Sequence, residues 1–431
     1  MKKIYVDVCR CELSLLEGEK LISYLKKNEY KIVKKPKDAE IIIYIACAAF
    51  NAIERNSLMK VKNYVKNYNA ELIVAGCLPA IAPEKLKEIF NGKTTCVKEI
   101  LANPEKMDDL FHVNKYKYDS IKDGNFVCRD FSPGVSSKKS VEEIKNFFKK
   151  SILLNKNYFR VKNHILKNLY GDRSLVLRSL FITVTPKLYH ITICRGCLGN
   201  CSYCVIKKAI GGLKSKPFNQ CINDFKEGLS LGYKNFVINA DDSGAYGLDI
   251  GTNLPALLNE IIKIPGDYEI EIRNLHPQWL VKYIDDLEDI IKSKKIKLID
   301  CHIQSGVSRI LKLMRRYSDI DKIEDAFLRL RKIYPDLKLY TSYITGFPTE
   351  TDEEFKKIME LFKKISFNSG FIFAFNCRYA TDAEHIEPKV PEKELYNRVV
   401  SAEKILKKAK YKIFRVSQPN QPHFLIFNRR Y

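Results

Sequence analysis

No apolar stretch in this 431-residue sequence approaches the roughly 18–20 residues that a bilayer crossing needs, which excludes a membrane-spanning helix. The opening residues, Met1-Lys2-Lys3-Ile4-Tyr5-Val6-Asp7, hold no apolar segment of useful length, so no secretory signal is expected. Without a signal, the thirteen cysteines read as metal ligands and buried thiols rather than disulfides, which places the chain in a reducing cytoplasm. Acidic residues are scarce beside basic ones: 51 Asp and Glu against 74 Lys and Arg leave a net charge of +23. Such a surplus attracts polyanions, RNA first among them, unless it is spread evenly as a lysine-rich background. Hydrophobic content of 45% and charged content of 29% are those of a globular protein, and the length suits two or three domains.

The densest chemistry lies in Gly196-Cys197-Leu198-Gly199-Asn200-Cys201-Ser202-Tyr203-Cys204. Three thiols at C-x3-C-x2-C on a short glycine-bearing loop are what a [4Fe–4S] cluster with one open iron requires, because such clusters are held by closely spaced thiolates. A structural zinc knuckle is the alternative, but it usually needs C-x2-C pairs and a fourth ligand. Cys194 could be that ligand, although it is expected inside the preceding strand. The spacing, with Ser202-Tyr203 before Cys204, resembles the radical S-adenosylmethionine (SAM) superfamily, in which the open iron chelates SAM.

The fold class expected is α/β, with a doubly wound parallel sheet followed by an incomplete (β/α)6 TIM-like barrel. Residues 1–110 alternate short β-branched runs (Ile4–Val8, Ile41–Ala46, Leu72–Ala75) with helical patterns at Leu15–Leu25 and Ser57–Val65. Ligand sites in such sheets lie beyond the carboxyl ends of the strands. Cys11, Cys47 and Cys77 each follow one of these strands, so three distant thiols would converge at one edge. The stretches Cys11-Glu12-Leu13-Ser14, Ile42–Cys47 and Ala75-Gly76-Cys77-Leu78-Pro79 resemble the three cysteine motifs of the methylthiotransferase family. That resemblance implies a second, auxiliary [4Fe–4S] cluster that takes part in sulfur delivery. The family shows Gly before the first cysteine where this chain has Arg10, and Asn-Thr or Asn-Ser before the second where it has Ile45-Ala46. Cys9 rivals Cys11, and the spacing to the following helix favours Cys11.

Residues 111–187 form a basic connector. Phe131-Ser132-Pro133-Gly134 reads as a turn, and Ser140-Val141-Glu142-Glu143 as a capping box opening a helix. Lys138 to Arg178 holds eleven basic residues against three acidic ones. Phe147, Phe148, Tyr158 and Phe159 are interleaved with Lys149, Lys150, Lys156 and Arg160, a pattern suited to a phosphate backbone with stacked bases, or to a helix with a solvated lysine face. Six strand-then-helix units follow over residues 188–400, with strands at Tyr189–Cys194, Asn235–Asn239, Tyr268–Arg273, Ile296–His302, Lys338–Ile344 and Gly370–Phe375. Barrel chemistry sits at the carboxyl ends of such strands, where the cluster cysteines fall. Residues 401–431 are read as a short helix and tail.

Later segments resemble the same family. Ala240–Pro255 is similar to the stretch after its second barrel strand, nearest the archaeal and eukaryotic branch that acts on threonylcarbamoyladenosine in tRNA. Cys301–Gly306 with Met314-Arg315-Arg316-Tyr317 resembles the segment at the fourth strand, and Gly346–Phe355 the one after the fifth. The family's Arg-Pro-Gly-Thr motif stands here as Arg378-Tyr379-Ala380-Thr381, and its carboxyl-terminal RNA-binding barrel is expected to be missing or reduced.

The resemblance implies that Cys197, Cys201 and Cys204 hold the cluster that cleaves SAM to a 5′-deoxyadenosyl radical, which takes hydrogen from an unactivated carbon. Sulfur at the Cys11/Cys47/Cys77 cluster, methylated by a second SAM, is then inserted. SAM contacts are expected at Tyr203, Asp241, Arg273, Gln304 and Ser305, at or just past strand ends; Arg273 could take the SAM carboxylate bidentately. The alternative for each is a structural hydrogen bond at the barrel rim. His276 and His302 are read as satisfied polar residues. The substrate implied is adenosine 37 of tRNA, or else a protein side chain, peptide or small molecule. An electron donor such as flavodoxin or ferredoxin and a sulfur source are implied as partners, and no membrane. A non-enzymatic iron–sulfur binding protein is the reading outside enzymes.

Overall fold

The computed structural model describes residues 1–9, 11–112, 115–125, 188–416 and 424–429, which fall in two compact units, Met1–Pro186 and Lys187–Tyr431. Most of the basic connector, including Lys149, Lys150, Lys156 and Arg160 and the helix expected from Ser140, lies outside the described residues.

In the first unit β1 (Lys3–Val8), β2 (Lys31–Ile32), β3 (Ile41–Ala46), β4 (Glu71–Gly76) and β5 (Lys93–Thr94) form a fully parallel sheet in the order β2-β1-β3-β4-β5. The long strands are apolar on both faces because helices cover a parallel sheet on both sides. Ile4, Val6, Val8, Ile41, Ile43, Ile45, Ile73 and Ala75 pack with Leu21, Tyr24 and Leu25 of the helix Glu12–Lys27. The helix Asn51–Asn67 follows β3 and buries Val61 and Tyr64.

The second unit is built on one nine-stranded sheet. Its strands are β6 (Leu188–Arg195), β7 (Lys214–Ser215), β8 (Asn235–Ala240), β9 (Glu269–Leu275), β10 (Ile296–Cys301), β11 (Lys338–Thr345), β12 (Ser369–Ala374), β13 (Tyr411–Val416) and β14 (Phe424–Arg429). Their order is β13-β14-β12-β11-β10-β9-β8-β6-β7. The six expected barrel strands are the parallel run β6-β8-β9-β10-β11-β12, each within two residues of its expected bounds at either end. Cys194 lies inside β6.

Both edges of that run carry antiparallel additions. β7 pairs with β6, and the hairpin β13–β14 pairs with β12, Phe371 standing opposite Ile426. Residue 401 is thus no boundary, since the helix Glu392–Lys408 runs through it and the hairpin belongs to the barrel sheet. Two strands alone bury too little to stand in water, and docking on β12 solves this. Phe427 meets Phe362 and Tyr411 edge-on, and the Tyr411 hydroxyl donates to Phe367 O at 2.6 Å. The helix Asp352–Ile365 starts at a capping box: Thr351 Oγ1 accepts from the Glu354 amide and Glu354 Oε2 from the Thr351 amide, as Thr-x-x-Glu dictates.

Candidate active site

The three-cysteine loop leaves the carboxyl end of β6 through Gly196, whose φ of +80° suits glycine and whose missing Cβ would lie 1.8 Å from Gly212 O. Asp241, at the end of β8, holds this corner: its Oδ2 accepts from the Gly196 amide at 2.8 Å and from Arg195 Nε at 2.9 Å. Lys207 ties the loop from within, donating to Cys197 O at 2.6 Å and Gly199 O at 2.9 Å. Ser202 fastens its far side, with Oγ donating to Leu313 O at 2.7 Å and its amide to Met314 O at 3.0 Å. The loop is therefore shaped by backbone contacts that leave its thiols available.

Those thiols see one another and a ring of polar groups. The Gly199 amide donates to Cys197 Sγ at 3.2 Å, and Arg316 Nη1 approaches Cys201 Sγ at 3.5 Å and Tyr203 Oη at 3.3 Å. Arg316 is itself anchored by Nη2 donating to His302 O at 2.5 Å. Burial, then the Asp242 carboxylate and the other two thiols, pushes the Cys197 thiol up to about 12, and burial raises Cys204. Asp242 Oδ2 accepts from Trp279 Nε1 at 3.0 Å and lies 3.9 Å from Cys197 Sγ; burial raises this carboxyl to about 6. Gly244 makes room for that indole, since a Cβ there would lie 2.3 Å from Trp279.

Tyr203 is buried among Arg316, Cys201 and Cys204, and burial raises its phenol. Gln304 holds φ +70° while its backbone bridges to β11 through Ser342 O and the Ile344 amide, both at 2.9 Å. Its Oε1 is buried with no hydrogen-bond partner among the described residues. Ser305 is fully buried, and its Oγ accepts from the Val307 amide at 3.3 Å. Arg273 pairs with Glu271, two residues back on the same face of β9. His302 is satisfied as expected, by Ser342 Oγ at 2.9 Å and Asp300 at 3.3 Å.

His276 differs from expectation. Both its ring nitrogens are buried without a partner among the described residues, and burial, with Arg316 and His302 nearby, holds its pKa well below the usual histidine range. It caps the helix Pro277–Lys282 through backbone alone, so no side-chain acceptor comes with its place in the sequence. Arg316, Trp279, Asp242 and Lys207 are the site residues that sequence reasoning gave no role. Of these, Arg316 and Asp242 lay in segments already singled out, Met314–Tyr317 and Ala240–Pro255.

In the first unit the residues directly after β1, β3 and β4 are Cys9, Cys47 and Cys77. Cys11 comes two positions later, exposed, as the N-cap of the helix Glu12–Lys27. The turn into Cys77 needs the glycine before it: Gly76 has φ +92°, and a Cβ there would lie 2.7 Å from Ala46 O.

The chain matches the Radical SAM superfamily over residues 191–362 and the Uncharacterized protein family UPF0004 over residues 3–97. A "Probable threonylcarbamoyladenosine tRNA methylthiotransferase" of Pyrococcus horikoshii is 28% identical over 368 residues, covering 85% of this chain and 75% of that protein. The "Threonylcarbamoyladenosine tRNA methylthiotransferase MtaB" of Thermotoga maritima is 28% identical over 411 residues, 93% of this chain and 80% of its own length. This chain belongs to the radical SAM methylthiotransferase family. A further relative, the "Ribosomal protein uS12 methylthiotransferase RimO" of Clostridium botulinum, is 27% identical over 390 residues, 89% of this chain and 76% of that protein.

Among solved structures the radical SAM methyltransferase TsrM from Kitasatospora setae superposes with a TM-score of 0.57 at 11% identity, over 89% of this chain and 77% of that one. The likeness is one of fold. Membership in the family implies SAM and a [4Fe–4S] cluster, and the β6 loop fits that group. Its donor set is three thiols within electrostatic reach of each other, with N–H donors from Gly199 and Arg316 directed at two of the sulfurs. Among the described residues no three His, Cys, Asp or Glu side chains gather as ligands of a single metal ion. A four-iron cluster asks for something else, because each thiolate binds a different iron and the sulfurs must stand apart.

Proposed function

We propose that this enzyme inserts sulfur and a methyl group at an unactivated C–H carbon of threonylcarbamoyladenosine at position 37 of tRNA. The observation that carries the reading is the pairing, in one chain, of a three-thiol loop at the end of the first barrel strand with thiols at the strand ends of an N-terminal parallel sheet. The names of the Pyrococcus and Thermotoga relatives and the +23 charge support the choice of tRNA. Cys197, Cys201 and Cys204 are assigned to the SAM-binding cluster, and Cys11, Cys47 and Cys77 to a second [4Fe–4S] cluster. When bound, these groups supply the one-electron chemistry and the sulfur; the protein supplies orientation and excludes water.

The chain's own part is positional. The Gly199 amide donates to the Cys197 sulfur and opposes the burial that raises that thiol, and Arg316 donates to the Cys201 sulfur. Gln304, with its unpartnered Oε1, is the group we assign to a polar donor of SAM, with Tyr203 beside the cluster. Arg273 would take the SAM carboxylate by leaving Glu271. Asp241 and Ser305 are assigned to SAM through the loop corner and the turn that they hold. Electrons and sulfur come from outside the chain, the former from a donor such as flavodoxin or ferredoxin.

The same chemistry on a protein side chain is the second reading, supported by the ribosomal-protein name of the Clostridium relative. Nucleoside mass spectrometry of tRNA from a strain lacking the gene decides between them. The proposal expects the methylthio form of threonylcarbamoyladenosine to disappear and its unthiolated precursor to accumulate. Unchanged tRNA nucleosides would refute the tRNA assignment.

A further inference from the structure

The N-terminal thiol edge holds one cysteine more than a three-thiolate site needs. Val8 of β1 stands opposite Ile45 of β3, and Ala46 of β3 opposite Gly76 of β4. The ladder continues one step beyond the strands: the Cys9 amide donates to Ile45 O and the Cys77 amide to Ala46 O, both at 2.8 Å. Cys9, Cys47 and Cys77 are therefore the first residues past three adjacent strands, Cys47 level with Cys77 and Cys9 one row before them, where the sheet opens into its loops. Cys47 is central, and its thiol and that of Cys9 hydrogen-bond to each other.

Beside the Cys47 thiol, the Ser14 side chain and the Cys11 backbone also hydrogen-bond the Cys9 Sγ. Cys11, two residues on, is exposed at the start of the helix Glu12–Lys27. A [4Fe–4S] cluster has four irons, so three protein thiolates leave one of them open to any further ligand within reach.

We propose that Cys9 is a fourth thiolate of the N-terminal site, binding the iron that Cys11, Cys47 and Cys77 leave open until sulfur is loaded there. On binding, the Cys9 S–H gives up its proton to solvent, and no oxidation change is involved. The arrangement protects a reactive iron from water and stray thiols, and incoming sulfur must displace a tethered ligand. This inference rests on the assignment of a second cluster to the first unit.

The test uses the full-length chain with Cys197, Cys201 and Cys204 changed to alanine, so that bound iron reports the N-terminal site alone. After anaerobic reconstitution, iron and sulfide are counted, and the electron paramagnetic resonance spectrum of the dithionite-reduced protein is followed as potassium cyanide is added. About four irons are expected both with Cys9 present and in the added Cys9→Ala variant. Cyanide should shift the Cys9→Ala spectrum at concentrations at least tenfold lower, and Cys9→Ser, which keeps the side chain's size, serves as the packing control with the same iron count. Equal cyanide sensitivity with and without Cys9 overturns the proposal while leaving the second cluster in place. Loss of iron in Cys9→Ala with retention in Cys11→Ala also overturns it, because Cys9 would then be one of three holding ligands. No iron in any of these proteins would overturn the second cluster itself.

Discussion

Replacing Arg398 with methionine should destabilise the Lys187–Tyr431 unit by about 3–5 kcal/mol near neutral pH, the cost of leaving a buried charge without its partner. Arg398 is 4% exposed, and from the helix Glu392–Lys408 it reaches the loop after β11. Its Nη1 donates to Glu350 Oε2 at 2.8 Å and its Nη2 to Glu350 O at 3.0 Å. The Glu350 side chain has no exposed surface and also accepts from the Gly346 amide at 2.5 Å and the Thr345 hydroxyl at 3.3 Å. The outer partners of Arg398, Asp352 and Glu394, are 64% and 38% exposed, so each contributes less than about 1 kcal/mol. Methionine keeps most of the apolar stem, which confines the loss to charge and hydrogen bonds.

The pH dependence separates this mechanism from a packing defect. Burial raises the Glu350 carboxyl from 4.5 to about 7 against the pull of Arg398. An acid raised in the folded state contributes stability that is complete below pH 4.5 and is lost as the pH rises through 7, here about 3 kcal/mol. Without Arg398 the carboxyl rises further, so the deficit of the variant is smallest near pH ~5, where Glu350 is protonated in both proteins, and grows toward pH ~8. Trp279 is the sole tryptophan, is 9% exposed and belongs to this unit, so its fluorescence in urea reports this unit's unfolding. A deficit under about 1 kcal/mol at neutral pH, or one that stays flat over that pH range, would refute the reasoning.

Reconstituted protein should hold about eight irons. Changing Cys197, Cys201 and Cys204 to alanine should leave about four and abolish SAM cleavage, whereas changing Cys11, Cys47 and Cys77 should spare cleavage and abolish sulfur transfer; iron analysis with a 5′-deoxyadenosine assay checks both. If the connector carries tRNA, Lys149, Lys150, Lys156 and Arg160 changed to glutamine should weaken binding and flatten its log–log salt dependence by about 0.7–0.9 per lost phosphate contact. Affinity unchanged in that variant, measured by titration over a range of salt, would count against the connector.

Much of the frame was legible because parallel strands announce themselves. Ile41-Ile42-Ile43-Tyr44-Ile45-Ala46 is apolar throughout, as a strand covered on both faces must be, and all six residues are buried. The barrel strands could be placed within two residues at either end because they are short apolar runs, and after β11 the following helix carries its own start signal, the capping box at Thr351. The hairpin β13–β14 was harder to place: a two-stranded pattern says nothing of the sheet it joins, and pairing with β12 is a tertiary choice.

The site was legible where chemistry is local and obscure where it is assembled across the chain. Cys197, Cys201 and Cys204 share eight residues of sequence, so their spacing alone speaks for a cluster. Arg316 reaches Cys201 and Tyr203 over more than a hundred residues, and Trp279 reaches Asp242 over thirty-seven. Neither contact has a periodicity or a motif to betray it. The same logic explains Asp241 and Asp242, adjacent acids at one strand end with opposite surroundings. Asp241 is held by two donors, Arg195 and the Gly196 amide, and so fixes the loop. Asp242 is turned inward with Oδ1 unpartnered among the described residues, and burial favours its neutral form. Both lie just past β8, where the chain turns into the short helix Ser243–Ala245, so two identical side chains in succession meet different environments. Composition and motif registered both as acids after β8, and only the packed neighbours separate the one that holds the loop from the one that lies against the cysteine.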